Sequence, residues 1–501
     1  MKKIIYTLFI AMAFVMFSCE DTFDSLDVRN ENQPNIEDLY IPEEFYALLK
    51  NGYNTWYNGA IAASPSIGFC NADLFSSGTA GWGSGTMWYR PRQPLFNDEH
   101  PDPVIVINFG AWYNFYSGIG TVVKLSQILN DPDYELVLNG TNYLPRAKAH
   151  VAIIQALLYG NIALLYDKAY LFTDEHDALT FDYVANTKSY KEVMDYAISK
   201  LDEAIALIEN DPVDEDYQAV IPGVNFNKTT LLQFANSMAA RFLVQNARTT
   251  AENEQTDWAK VEQYASKGFQ QDFNVLYEEG WRGKVMTRDE GANYLGLYNW
   301  GWIRANQWLI NQMAPEDPAA QYPWPEGVNR LGEVTNCPDA RLEKYFKWDE
   351  ISDQWWGWSR VTRAGYGYFI RCEYKYWRYY DVIDAGEGYI GHFLKAENDL
   401  YLAEAKLRQG KAGAAEFINN TRVAAGELPA ATDGDSDLME KMFYERYVEC
   451  DLVWAHLGFF DKRRQGLLLP GTAYHFPIPA PELNRHGQPV YTFGGAPGSE
   501  M

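Results

Sequence analysis

The stretch that decides the fold spans residues 396–426 and reads AENDLYLAEAKLRQGKAGAAEFINNTRVAAG. Its first half places alanines and leucines three and four residues apart, on one helical face, and Gly410 ends that helix. A second apolar stripe follows at once and ends at Gly426. Two helices within about 34 residues, with alanine at the contact positions, are typical of a tetratricopeptide-like pair.

Earlier segments show the same periodicity and pair in the same way. Residues 145–165 pair with 189–209, and residues 227–248 pair with 257–270. The pairs have no fixed period, so we read them as divergent repeats with insertions. Because stacked helix pairs bury a continuous seam, we predict an all-α, mainly helical fold with tetratricopeptide-like pairs as its scaffold.

Local signals mark where several of these helices begin. Pro145 suits the first turn of a helix, since its missing N–H needs no partner there. Ser189 with Glu192 forms a capping box, and Asp257 is a helix cap directly before Trp258.

The helical pattern breaks between about residues 271 and 390. This stretch is rich in Gly, Trp, Tyr, Pro and Asn, and it contains Trp300-Gly301-Trp302 and Trp355-Trp356-Gly357-Trp358. A similar aromatic segment runs over residues 76–93. Loops of this length are usually functional or disordered, and the aromatic density argues against disorder. We therefore predict a large, irregular, loop-rich ligand-binding region.

Charge and composition exclude some partners. The 501-residue chain has a net charge of −25 and no Lys/Arg-rich run. A protein that neutralises phosphates needs a basic face, so we predict no nucleic acid partner. An anionic membrane surface is an equally poor partner, and a neutral ligand fits best. Aromatic residues make up 15% of the chain; many of them will be core residues, and the question is whether some cluster where a core is not expected.

The N-terminus carries the features of a secretory signal. Two lysines precede an apolar run from Ile4 to Phe17, which is too short for a comfortable transmembrane helix. No later stretch reads as long and apolar enough to span a bilayer. We predict a signal peptide over residues 1–18.

The end of that run resembles a bacterial lipobox. Val15-Met16-Phe17-Ser18-Cys19 places a small residue directly before a cysteine. We predict that Cys19 is diacylated and becomes the mature N-terminus, with residues 19–40 as a polar tether. Acidic residues at positions 20 and 21 resemble a surface-export signal. Two or more acyl chains give stable anchoring where one would not.

Four further cysteines are scattered along the chain, at Cys70, Cys337, Cys372 and Cys450. They permit three disulfide pairings, among which the sequence does not choose. In a chain of this size we favour buried free thiols.

The order of these features resembles the SusD/RagB family of nutrient-binding outer-membrane lipoproteins, over essentially the whole mature chain. The matching stretches are Arg146–Ala149 through Tyr159-Gly160-Asn161, Tyr190–Ile208, Ala396–Ala405, Ile418–Arg422 with Ala425-Gly426, Glu445-Arg446 with Glu449, and Pro477-Ile478-Pro479 with Glu482 and Asn484.

The resemblance implies helix pairs carrying a variable face built from loops. It also implies lipid anchoring in the outer membrane, facing the exterior, and a SusC-like TonB-dependent transporter that the protein covers like a lid. Family members bind oligosaccharides or, in some cases, peptides. We expect a single domain over residues 41–501, with the helical scaffold at about 41–270 and 391–460.

A sugar ring has apolar faces and hydroxyl edges, so it binds by stacking on flat aromatics while polar side chains read the hydroxyls. The loop clusters supply both kinds of group. Our candidate ligand-binding residues are Asp73, Trp82, Trp88, Tyr89, Arg90, Trp300, Trp302, Trp355, Trp356 and Trp358.

Two alternatives remain for these aromatics. Any single Trp is more simply a core residue packed under the loops. For two or more clustered Trp residues we favour a ligand-binding face, and contact with the transporter is the other reading.

The sequence contains no strong catalytic motif, so we predict that the protein is not an enzyme and binds no cofactor. No G-x-S-x-G or H-E-x-x-H motif is present. Gly386-x-Gly388-x-x-Gly391 matches a dinucleotide fingerprint but lacks the following acidic residue, so we read it as a loop. The acidic run 433–437 hints at structural calcium, but a solvated turn fits better. A surface glycoside hydrolase and a protein-binding assembly factor remain as further hypotheses.

Overall fold

A computed structural model describes most of the chain after residue 40, namely residues 41–62, 75–77, 97, 104–277, 303–323, 325, 328, 331–348, 373–385, 387–450, 457–468 and 472–491. The chain separates into two units, residues 1–45 and 46–501. The predicted signal peptide, lipidated Cys19 and tether lie outside the described residues.

Long helices make up most of the first half of the described chain. In order they are α1 (Pro42–Ala62), α2 (Val104–Leu129), α3 (Leu144–Leu165), α4 (Tyr190–Asn210), α5 (Lys228–Gln245), the short α6 (Thr250–Glu254) and α7 (Trp258–Ser266).

Short strands and helices form the middle of the chain. The strands are β1 (Phe75–Ser77), β2 (Val137–Leu138), β3 (Thr141–Asn142), β4 (Lys168–Tyr170), β5 (Thr187–Ser189), β6 (Phe273–Tyr277), β7 (Ile303–Ala305), β8 (Phe346–Trp348), β9 (Tyr374–Tyr376) and β10 (Gly388–Phe393). Among the described residues they pair only two by two, all antiparallel: β1–β7, β2–β3, β4–β5, β6–β10 and β8–β9.

Helices return towards the C-terminus. After the short α8 (Gln307–Met313), α9 (Arg341–Tyr345) and α10 (Tyr380–Ala385) come α11 (Lys395–Arg408), α12 (Ala414–Arg422), α13 (Leu438–Glu445), a π-helical turn (Arg446–Cys450), α14 (Leu457–Arg464) and α15 (Ala480–Arg485).

The predicted signals at Ser189, Asp257 and Gly410 are confirmed, but Gly426 does not end its helix, because α12 already ends at Arg422. The Ser189 hydroxyl accepts from the Glu192 N–H, and the Glu192 carboxylate accepts from the Ser189 N–H at 2.9 Å, which completes the capping box. Asp257 accepts from the Lys260 N–H at 2.9 Å. Gly410 lies just after α11 with a φ of 65°, a conformation that favours glycine.

All three predicted helix pairs pack against each other: α3 on α4, α5 on α7, and α11 on α12. The pairs are also joined to one another, because α4 packs on α5 and α7 packs on α11. The mainly helical, tetratricopeptide-like fold is therefore confirmed.

Polar groups join the stacked pairs where three helices meet. Asn398 of α11 donates to the Ala265 carbonyl of α7 at 2.8 Å and accepts from the Ser237 hydroxyl of α5 at 3.0 Å. Arg241 of α5 donates to both oxygens of Glu397 at 2.7 Å each. All of these side chains are buried, so the seam depends on paired polar groups as well as on alanine contacts.

Helix α3 is the most apolar helix of the scaffold. Its length and composition would allow it to cross a membrane, so the expectation that no stretch after the signal peptide is apolar enough is wrong for this helix. However, 89% of its apolar window is buried inside the protein, which is the environment of a core helix.

The glycine fingerprint at residues 386–391 is not the loop that we expected. Residues from Gly388 onwards form strand β10, which pairs antiparallel with β6. A dinucleotide site needs glycines in the turn between a parallel strand and a helix, whereas two of these three glycines lie within an antiparallel strand.

Candidate functional site

The ten candidate ligand-binding residues all lie outside the described part of the chain, as does Cys19. They are Asp73, Trp82, Trp88, Tyr89, Arg90, Trp300, Trp302, Trp355, Trp356 and Trp358. The described structure instead contains the strands to which their segments are attached.

Strands β1 and β7 pair with each other, and each is adjacent in sequence to one of the first two aromatic segments. In their register, Phe75 lies opposite Ala305 and Ser77 lies opposite Ile303. The chain leaves β1 after Ser77, towards Trp82, at the same end where it enters β7 from Trp302. The segments that carry these two tryptophans therefore leave the described structure at one place.

Strands β8 and β9 carry the third segment. Trp348 lies opposite Tyr374, so the stretch that contains Trp355, Trp356 and Trp358 connects two paired residues. Strand β7 packs beside β9. The four strands β1, β7, β8 and β9, which we call the strand base, thus anchor all three predicted aromatic segments.

A buried ionic cluster fixes the strand base to the helical scaffold. Arg378, two residues after β9, donates to the Glu449 carboxylate at 2.7 Å and to the Glu449 carbonyl at 2.9 Å. Tyr345, directly before β8, donates to the same carboxylate at 3.0 Å. Burial raises the pKa of Tyr345 above its ordinary value, so its hydroxyl stays a donor near neutral pH.

A second arginine extends this cluster. Arg341 of α9 donates to Asp339 at 2.7 Å and to Glu445 at 2.6 Å, and all three side chains are fully buried. Glu445 and Glu449 belong to the C-terminal stretch whose acidic and basic residues support the family resemblance. They therefore hold the base of the predicted ligand-binding face.

An aromatic stack beside the strand base was not among the predicted site residues. The rings of Trp377 and Tyr380 are parallel, with centroids 3.7 Å apart, and the Lys347 ammonium lies 4.4 Å from the Trp377 centroid. The run YKYWRYY at residues 374–380 is the sequence signal that could have pointed to it. Because these contacts already engage the Trp377 ring, this tryptophan fits the packing alternative.

Tryptophans elsewhere in the described structure also support the interpretation that a single, unclustered tryptophan is a core residue. Trp56, Trp112 and Trp258 are each buried. Trp308 is half-buried, and the Lys462 ammonium lies 3.5 Å from the centroid of its ring. Isolated tryptophans on periodic helices are thus core residues, and the clustered ones in the loops are a separate case.

The carboxylates of the acidic run 433–437 are engaged by the protein. Asp433 accepts from the N–H groups of Gly413 and Ala415 at the start of α12. Asp435 accepts from Thr432 and Lys441, and Asp437 pairs with Lys441 at 2.8 Å. Nowhere in the described residues do three or more His, Cys, Asp or Glu side chains gather as a metal site would require.

Two of the scattered cysteines are described, and both are free thiols. Cys450 is buried and Cys337 is partly buried, where its thiol donates to the Asp339 carbonyl. Burial raises the pKa of Cys337 to about 11 and also raises that of Cys450. The free-thiol prediction holds for these two; Cys70 and Cys372 lie outside the described residues.

Several solved structures have the same fold. A SusD superfamily protein from Parabacteroides distasonis is 14% identical, with a TM-score of 0.59 over 89% of this chain and 97% of its own. A SusD-like protein from Bacteroides fragilis is 16% identical, with a TM-score of 0.56 over 89% and 94%.

A SusD-like carbohydrate-binding protein from Bacteroides fragilis is 13% identical, with a TM-score of 0.52 over 86% of this chain and 87% of its own. No family model and no curated protein matches the sequence. The chain therefore has the SusD-like fold, and the predicted resemblance is confirmed at that level.

Proposed function

We propose that the chain is a glycan-binding lipoprotein of the bacterial outer membrane that captures oligosaccharide and delivers it to a TonB-dependent transporter. The observation that carries the proposal is the common origin of the three aromatic segments on the strand base. Ser77 pairs with Ile303, Trp348 pairs with Tyr374, and β7 packs beside β9.

The chemistry follows from what a sugar offers. Indole rings from the three segments stack on the apolar faces of the sugar rings, while Asp73 and Arg90 hydrogen-bond their hydroxyls. The buried cluster around Glu449 keeps the base of these segments in place, which lowers the ordering cost of binding. The protein performs no covalent step on its ligand.

A comparison supports the ligand class. One protein with this fold is described as a SusD-like carbohydrate-binding protein, at 13% identity to this chain. A neutral glycan also suits the charge of −25, which neither attracts nor strongly repels an uncharged ligand.

Calorimetry of the mature protein with a panel of oligosaccharides tests the binding step. Trp82→Ala, Trp302→Ala and Trp356→Ala remove one ring from each segment. Each is expected to weaken binding by about tenfold, since a stacked aromatic contributes about 1 kcal/mol or slightly more. Leu179→Ala, at a residue that is 95% exposed in a surface turn outside the strand base, is the control.

Three outcomes would redirect the proposal. Unchanged affinity in all three Trp variants would remove the site. Binding of peptides with no oligosaccharide binding would make the protein a peptide receptor. Release of products from a polysaccharide by the purified protein would make it a glycoside hydrolase.

Anchoring and delivery need separate tests. Cys19→Ala is expected to abolish incorporation of labelled palmitate and to release the protein from membranes, because the acyl chains are lost. A transporter that co-purifies with the acylated protein from detergent-solubilised outer membranes would support delivery. Recovery of the protein alone would contradict a stable complex.

A further inference from the structure

A groove of about 380 Å³ lies where helix α5 meets the β6–β10 pair, and none of its lining residues belongs to the strand base. Its walls are the turn at residues 222–226, the start of α5 and the β6–β10 pair. Its floor is a stack of phenylalanines: the Phe273 ring lies 5.2 Å from that of Phe269 and 6.1 Å from that of Phe226, both at about 20°. The volume falls within the usual range for small-ligand sites.

Tyr389 of β10 lines this groove as a fixed, exposed aromatic. Its side chain is 54% exposed, although it stands on a strand that is otherwise mostly buried. Gly223 lies against it: a Cβ at Gly223 would come within 2.6 Å of the Tyr389 ring and 2.7 Å of the Leu276 side chain. Gly223 also has a φ of 71°, so both its space and its backbone require glycine. The turn therefore holds the ring in place.

The rim of the groove is formed by polar side chains, most of which make no hydrogen bond within the described structure. The side-chain amides of Asn225, Gln233, Gln271 and Asn274 line it. None of them has a hydrogen-bond partner within the described structure, and Asn225, Gln271 and Asn274 are exposed. Each amide offers two donors and an acceptor, so together they can bind both the hydrogen and the oxygen of ligand hydroxyls.

Charge in the groove disfavours anionic ligands. Asp272 is the charged residue of the lining, and one of its oxygens already accepts from the Lys395 N–H at 2.8 Å. Among the described residues, no lysine or arginine lines the groove, so an anion finds no counter-charge from them. A ligand with hydroxyl edges and an apolar face matches an exposed tyrosine surrounded by carboxamides.

We propose that this groove is a second oligosaccharide-binding site, with Tyr389 as the stacking platform and the carboxamides of Asn225, Gln271 and Asn274 as hydroxyl-reading groups. The choice of a sugar over another neutral polar ligand rests on the proposed function. The groove contains none of the ten candidate ligand-binding residues, although Gln271, Asn274 and Tyr389 lie within the predicted loop-rich region. A second point of attachment on the same protein increases the avidity for a glycan chain.

Hydrogen–deuterium exchange of the mature protein separates the two sites. The probes are the same oligosaccharide panel and, separately, a pool of neutral peptides. Oligosaccharide is expected to slow exchange in peptides covering residues 221–233 and 269–277. Tyr389→Ala should weaken binding in the groove by about tenfold and leave protection of the loop segments unchanged. Tyr113→Ala, at a tyrosine of α2 that is 39% exposed, is the matched control.

A double variant, Gln271→Ala with Asn274→Ala, removes two exposed side chains that make no hydrogen bond to the described residues, so it tests the groove even if Tyr389→Ala fails to fold. Loss of groove protection in this variant supports the site. Protection confined to the loop segments overturns the second site and leaves the proposed function standing. Protection confined to the groove supports this site and removes the loop aromatics as the binding face. Protection in neither place overturns both the groove site and the proposed function. Groove protection by peptides alone overturns the sugar assignment.

Discussion

Arg464 donates two parallel hydrogen bonds to Glu404, from Nη1 to Oε1 and from Nη2 to Oε2, both at 2.6 Å. Both side chains are fully buried, and they join α14 to α11. Arg464 also pairs with Asp461 at 2.7 Å, which in turn accepts from Arg446 at 2.6 Å. The C-terminal helices are therefore fastened to the helix-pair scaffold by charges that water does not reach.

Removing one charge from this cluster is expected to be costly. Glu404→Gln leaves the Arg464 guanidinium buried with half of its compensation lost, so we expect a loss of about 3 kcal/mol in the free energy of unfolding. Urea unfolding followed by circular dichroism measures it. Glu416→Gln, at an exposed residue of α12, is the matched control and should change stability by less than about 0.5 kcal/mol. A loss no larger than that of the control would contradict the buried pairing.

Helices α3 and α5 approach each other closely at Gly160, which has no side chain. A Cβ at Gly160 would lie 2.3 Å from the Phe242 ring, so Gly160→Ala is expected to destabilise the protein by about 1 to 3 kcal/mol. Gly120 of α2 is exposed and has nothing within 4 Å of such a Cβ. Gly120→Ala should instead stabilise by up to about 1 kcal/mol, because alanine favours the helix. Unfolding curves of the two variants are expected to show changes of opposite sign in the free energy of unfolding. Equal changes would contradict the close packing at Gly160.

Asp167 makes stability depend on pH. Burial raises the pKa of Asp167 from 3.8 to about 6, although Tyr491 donates to it. Folding therefore favours the protonated carboxyl of Asp167. The resulting stabilisation of the folded protein is complete below pH 3.8 and is lost as the pH rises through 6. Asp167→Asn imitates the neutral form, so it should stabilise the protein by about 1 to 3 kcal/mol at pH 8.

The same variant should match the wild-type protein near pH 4, where the native carboxyl is already protonated. Thermal unfolding at the two pH values makes the comparison, with the exposed Asp133→Asn as control for loss of a carboxylate. A gain for Asp167→Asn that persists unchanged at pH 4 would point to a cause other than titration.

The two described thiols should resist alkylation in the folded protein. The raised pKa values of Cys337 and Cys450 leave little thiolate at pH 8, and burial limits access to Cys450. Iodoacetamide followed by mass spectrometry is expected to modify neither residue before unfolding and both in denaturant. Failure of either to react in denaturant without reductant would show that it is in a disulfide instead.

Sequence periodicity predicted the scaffold because helices such as α4 bury one regular face, whereas α3 is buried on nearly all sides. Seams such as Ser237–Asn398–Ala265 connect segments whose apolar spacing was already visible, and caps such as Ser189 are local chemistry. The pairing of Ser77 with Ile303 was not predictable in this way. Strands of three residues have no period to read, and their partner is set by the rest of the fold.

The groove was missed for a related reason. Tyr389 lies in a glycine-rich stretch that matched a nucleotide fingerprint, and a three-glycine pattern says nothing of antiparallel pairing with β6. Its polar rim comes from three separate segments, which only the tertiary structure brings together. The loop aromatics could be proposed from the sequence because they are clustered along it.

The pairing of β1 with β7 also constrains the order of events during synthesis. Ser77 is synthesised more than two hundred residues before Ile303, so β1 has no pairing partner until that later stretch has also been made. Until then it is an open strand edge, the kind of surface that recruits other chains. A truncated product that ends before β7 would contain, of the described helices, only α1–α7 and would retain this unpaired strand, which makes incomplete translation a greater aggregation hazard here than in a purely helical solenoid.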